Sequence, residues 1–176
     1  CTLSSAFAWP AWTRPADREA SVLKKVNTTY TSNTIGSDFE KGNLLKKISG
    51  QYLKDPATSQ AYLEAVKSIG SDFEKANAIK KLLMEPLSPN QFTDVLAVSG
   101  SINSDFEKAN VLKTVLEKNE IPADQFTQLL KATGSINSDF EKANVLKEVL
   151  KKNNLPEQDF NQVLAVVSGI NSDFEK

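Results

Sequence analysis

From Ser37 onward the apolar residues fall into alternating stripes of helical period. In residues 104–137 the first stripe is Phe106, Ala109, Leu112, Val115 and Leu116, widened by Val111. The second is Phe126, Leu129, Leu130 and Thr133, spaced i, i+3, i+4, i+7, which is one side of a 3.6-residue turn. Polar residues punctuate the stripes. Ser104 and Glu107 form an S-x-x-E start, and the pattern predicts a capping box. In such a box the serine hydroxyl accepts from an early backbone N–H and the glutamate reaches back to the serine N–H. Asp105 adds negative charge at the positive end of the helix dipole. Asn119 suits the end of the first helix and Gly134 the end of the second, while Pro122 suits the start of the second. Ile136 is apolar in the return turn. The unit therefore reads helix, short turn, helix, short turn.

The same unit recurs. S-D-F-E-K starts at 37, 71, 104, 138 and 172, a spacing of 34, 33, 34 and 34 residues. A fixed period of this size marks a stacked-repeat protein in which each unit buries its apolar face against its neighbours. The expected fold is all-α, a right-handed α-solenoid of two-helix repeats. Its expected layout is a non-repeat arm over 1–15, a capping helix and turn over 16–36, and repeats over 37–70, 71–103, 104–137 and 138–171. Residues 172–176 begin a truncated fifth repeat, which suggests a longer parent protein. In the capping helix, Val22, Leu23, Val26 and Tyr30 lie on one side. The recurring Phe39, Phe73, Phe106 and Phe140 are expected in the core. Gly42, where later units carry Ala, reads as a weak spot of up to about 1 kcal/mol.

The arm, CTLSSAFAWPAWTRP, has three readings. Ala6-Phe7-Ala8 resembles the small-x-small end of a secretory signal, cleaved before Trp9. Cys1 could instead be the lipidated first residue of a bacterial lipoprotein, a lipid anchor followed by a tether. Or the segment is an arm in which Trp9 and Trp12 dock on a neighbour, since Trp buries much area at low entropic cost. The first two readings place the protein outside the cytoplasm, periplasmic, secreted or lipid-anchored; the alternative is cytoplasmic.

Composition narrows the chemistry. The chain has no histidine and one cysteine, which removes most zinc sites, cysteine nucleophiles and serine–histidine triads. No catalytic residue, metal site or cofactor is expected. The 21 basic and 22 acidic residues nearly cancel, which argues against nucleic acid as a partner. No apolar run approaches the roughly 20 residues of a transmembrane helix. The Asp-x-Glu pairs, such as Asp105 and Glu107, are explained by helix capping and lack the oxygen count of a calcium loop.

Equal units place equal positions in rows. Asn43, Asn77, Asn110 and Asn144 form one, and Lys46, Lys80, Lys113 and Lys147 another. The candidate partner-binding residues are Asn77, Asn110, Asn144, Lys80, Lys113 and Lys147, gripping a protein or peptide, with Trp9 and Trp12 as anchors. The competing reading is a solvated face copied by duplication. Residues that break the repeat, Tyr52, Tyr62, Met84 and Gln128, are candidate hot spots. The period is that of the tetratricopeptide repeat, whose Trp, Gly, Tyr and Pro pattern is missing. The S-D-F-E-K-A-N starts instead resemble short HEAT-like helical hairpins of bacterial envelope proteins and of the tails of some membrane metallopeptidases. That resemblance covers Ser37 to Lys176 and implies a scaffold or sensor module without chemistry. A structural arm or lipoprotein subunit of an envelope assembly, docked through the Trp-rich segment, is the alternative.

Modular stacking makes a direct prediction. Removal of residues 104–137 as a block leaves a shorter protein that still folds, with helical circular dichroism and a cooperative melt; a random-coil spectrum contradicts it.

Overall fold

The computed structural model describes residues 35–48, 50–118, 121, 125–152 and 155–172. Among them every regular element is a helix. In chain order these are α1 (Asp38–Lys46), the single turn α2 (Gly50–Leu53), α3 (Pro56–Lys67), α4 (Asp72–Leu82), α5 (Pro89–Gly100), α6 (Asp105–Lys118), α7 (Phe126–Gly134), α8 (Asp139–Leu150) and α9 (Glu157–Val167). The first helices of the four units, α1, α4, α6 and α8, pack on one another in that order. The second helices, α3, α5, α7 and α9, pack likewise, and each also touches its own unit's first helix. The result is two layers with the apolar residues between them. Leu45, Ile79, Leu112 and Leu146, one per unit, are buried there, as are Ile69, Ile102, Ile136 and Ile170 in the return turns. Each such side chain contributes about 1.5–3 kcal/mol by burial, against about 1 kcal/mol for a cap, so the seam dominates stability. The proposed arm, the capping helix at 16–34, Asn119, Pro122 and residues 173–176 lie outside the described residues.

The S-D-F-E-K start does more than cap. Each serine accepts from the glutamate N–H three residues on, at 3.3 Å for Ser37, Ser104 and Ser138 and 3.4 Å for Ser71. The other half of the expected box is absent, because the serine N–H is already donated across the unit boundary. Ser71 N–H goes to Asp38 Oδ2 at 2.8 Å, Ser104 N–H to Asp72 Oδ2 at 2.8 Å, and Ser138 N–H to Asp105 Oδ2 at 2.9 Å. Asn103 and Asn137 N–H groups join the same aspartates at 3.1 Å. The aspartate of each unit thus holds the turn that leads into the next. A complete capping box occurs instead at Ser88 and Gln91, where α5 begins. There the buried Gln91 also donates to Leu53 O at 3.1 Å and Ser59 Oγ at 2.7 Å, joining the second helices of units one and two.

The glutamate, released from capping, faces the preceding unit. Lys46 Nζ lies 3.0 Å from Glu74 Oε2, an ion-pair contact whose direction makes no hydrogen bond, and Lys80 Nζ lies 3.9 Å from Glu107. Gly42 is where Glu74 packs, and a Cβ added there would run into its carboxylate. The glycine therefore makes room for the closer of these two pairs.

The lysine of the pentad closes its own hairpin. Lys75, Lys108 and Lys142 are buried. Lys41, Lys75 and Lys108 donate to the carbonyls of Ser68, Ser101 and Ser135 at 3.3, 3.5 and 3.4 Å. These carbonyls sit at the negative ends of the second helices, where a cation is favoured. The expected glycine stop is not used, since no described glycine has positive φ. The second helices end instead on right-handed caps, Ser68, Ser101, Ser135 and Ser168, whose hydroxyls donate to the carbonyl three residues back at 2.7 Å.

Asp105→Ala leaves the Asn137 and Ser138 N–H groups without their acceptor. It should lower stability by about 2 kcal/mol, read as a lower urea midpoint at unchanged m-value. Asp105→Asn, which keeps one of the two oxygens used, should fall between that variant and the parent. A midpoint unchanged by Asp105→Ala would remove the aspartate from the account.

Candidate functional site

The four phenylalanines expected in the core are on the outside. Phe39, Phe73, Phe106 and Phe140 are 59%, 58%, 58% and 57% exposed. Helical geometry explains the correction. Steps of three residues fall about 60° short of a full turn, so a stripe built from them drifts round the helix. The residues buried in α6 are Lys108, Ala109, Val111, Leu112, Val115 and Leu116, an arc that leaves Phe106 beyond its edge. Lys108, two residues on and so nearly opposite Phe106, lies in the middle of that arc.

Phe106, Asn110 and Lys113 stand at i, i+4 and i+7 and so share one helix face. The same holds for Phe73, Asn77 and Lys80, and for Phe140, Asn144 and Lys147. The structure therefore brings the predicted asparagine and lysine rows together with a phenylalanine row on the outer face of α4, α6 and α8. The asparagines are half-buried, as are Lys80 and Lys113, and Lys147 is exposed. Lys80 is engaged with Glu107 of the next unit, which limits its charge for a partner. Trp9, Trp12 and Cys1 lie outside the described residues.

The repeat-breaking positions separate. Met84 is exposed. The Tyr52 side chain lies outside the described residues. Tyr62 is no hot spot: it is fully buried and its hydroxyl donates to Ala78 O at 2.9 Å, joining α3 to α4. Gln128 lines a cavity of about 610 Å³ between α5 and α7, together with Leu96, Ala97, Gly100 and Lys131. Ala97 and Gly100 stand where the first unit has Glu64 and Lys67, and the smaller residues open this space.

The Asp-x-Glu pairs do not converge on a common point. Asp105 binds the following turn, whereas Glu107 contacts Lys80 of the preceding unit. No described helix is long and apolar enough to cross a membrane. No protein-family model matches the chain, and no curated protein or solved structure is significantly similar to it.

Burial raises the Tyr62 phenol above its ordinary value of 10.0. The unfolded chain ionises this group near that value while the folded chain keeps the proton, so its contribution is whole at neutral pH and declines as pH rises past about 10. The urea midpoint should fall above that pH. Tyr62→Phe should make the fall shallower while losing about 1 kcal/mol at neutral pH with the hydrogen bond; an unchanged alkaline slope would refute the assignment.

Proposed function

We propose that the protein is a non-catalytic scaffold, a right-handed α-solenoid of two-helix repeats, that binds a protein or extended peptide along the outer face of its first helices. The phenylalanine row carries this reading. In each described S-D-F-E-K start the serine caps and the aspartate holds the next turn, and Lys41, Lys75 and Lys108 donate to the ends of their own second helices. Glu74 and Glu107 meet the preceding unit. The phenylalanine is left in solvent in every unit described, and in units two to four it is the one exposed member of the pentad. An exposed aromatic repeated at a fixed spacing suits a partner whose apolar side chains recur along an extended segment. Aromatic anchors commonly dominate such contacts. The adjoining asparagine amides can donate to and accept from a peptide backbone. The likeness of the repeat starts to bacterial envelope hairpins, with the Ala6-Phe7-Ala8 segment, supports an extracytoplasmic bacterial setting for this scaffold.

The test is selection of peptides from a displayed random library on the purified full chain. Selected peptides should lose at least about tenfold in affinity to the Phe73→Ser, Phe106→Ser, Phe140→Ser triple variant, and also to Asn110→Ala with Asn144→Ala. Helix content should be unchanged, and each phenylalanine substitution should alter stability by less than about 0.5 kcal/mol, since these side chains are exposed. Failure to enrich any peptide, or binding indifferent to both variants, would overturn the proposal.

A further inference from the structure

The last described unit, α8 and α9, exposes apolar side chains that the earlier units bury. Leu150 is 47% exposed, Phe160 44% and Leu164 48%. Their counterparts are Leu83 and Leu116 for the first, Phe92 and Phe126 for the second, and Leu63, Leu96 and Leu130 for the third. All of these are at most 4% exposed. The difference follows from packing order. In the earlier units α6 is covered by α8 and α7 by α9, and among the described residues nothing follows α8 and α9 in either layer. At the opposite end the pattern is mirrored. Leu44 is exposed, while its counterparts Ala78, Val111 and Val145 are buried. The two edges of each first helix are thus distinct: the Leu44 edge meets the preceding unit and the Leu150 edge the following one.

A second feature points the same way. The turn beyond α9 is set as it is before α4, α6 and α8. Ile170 is buried like Ile69, Ile102 and Ile136. Asp139 Oδ2 accepts from Asn171 N–H at 3.1 Å and from Ser172 N–H at 3.0 Å. At earlier boundaries this aspartate contact orients the serine that caps the next first helix, and Ser172 again opens the sequence S-D-F-E-K.

We infer that the face formed by Leu150, Phe160 and Leu164 is a docking surface for one further helical hairpin of the same repeat type, begun at Ser172. Such a hairpin presents the edge that Ala78, Val111 and Val145 occupy in units two to four, small or β-branched side chains that fit between the larger leucines. A second copy of the chain is a poorer occupant, because its first helix is not joined to the turn that Asp139 holds. The inference rests on the stacking order and the Asp139 contact, and stands whether or not the phenylalanine face binds a peptide.

The experiment extends the full chain after Lys176 with the sequence of residues 143–171, which completes a fifth unit. Amide exchange across α9 and sedimentation are then compared with the unextended chain. Exchange in α9 should slow at least about tenfold, the extended protein should remain monomeric, and the added residues should be helical. Leu164→Asp, at a position already half exposed, should abolish the slowing while leaving the melt of the unextended chain unchanged. Phe160→Asp gives the same readout at a second position. Exchange in α9 indifferent to the extension, or an added segment that stays unfolded, overturns the inference. So does self-association of the unextended chain that Leu164→Asp disrupts, since the occupant is then a second copy.

Discussion

An aspartate at the first position of a helix usually needs no explanation beyond the helix dipole. Here that carboxylate also reaches out of its own unit. Asp38, Asp72, Asp105 and Asp139 each accept one or two backbone N–H groups from the turn that follows their unit. The turn amides would otherwise face a partly buried boundary without a partner, a cost of about 1–3 kcal/mol each. The contact fixes where the next first helix starts and how it lies against the last one. The apolar seam supplies most of the free energy, but it is non-directional. The aspartate gives it a register.

The remaining charges of the pentad follow from that arrangement. With the serine N–H taken, Glu74 and Glu107 have no capping role and turn toward Lys46 and Lys80 in the last turn of the preceding first helix. The buried lysine looks out of place in an apolar arc, yet its stem is apolar and its ammonium meets a helix C-terminus. Desolvation of that ammonium is offset by the carbonyls it faces. The near-neutral composition thus conceals opposed charges, several of them paired within or between adjacent units.

Much of the fold could be read from the letters. The period, the helix starts and the inward rows through Leu112 and Leu129 follow from spacing, because spacing is local. What could not be read involved partners about one unit away. The S-x-x-E pattern already satisfied a local rule, so nothing in it signalled that the serine N–H had a distant acceptor. Lys108 looks like a surface residue by type, and only the Ser135 carbonyl across the hairpin explains its burial. Phe106 looks like core by type, and the drift of a three-residue step carries it outside. Asn110 and Lys113 were read as a polar face and are half-buried, but the aromatic that shares their side of the helix was assigned to the core. Tyr62 was marked as unusual because it breaks the repeat. The departure reflects a hydrogen bond to Ala78 O, not a contact surface.

The aspartate contacts span 31 to 33 residues, and the lysine contacts 26 or 27. Even the Gln91 bond to Leu53 O, longer than either, spans only 38 residues. Folding can therefore nucleate in any hairpin and spread outward, with little loop-closure entropy to overcome at each step, which favours rapid folding. A lesion in a central hairpin would divide the molecule into two blocks that each retain their order, so damage stays where it occurs and does not spread through the chain.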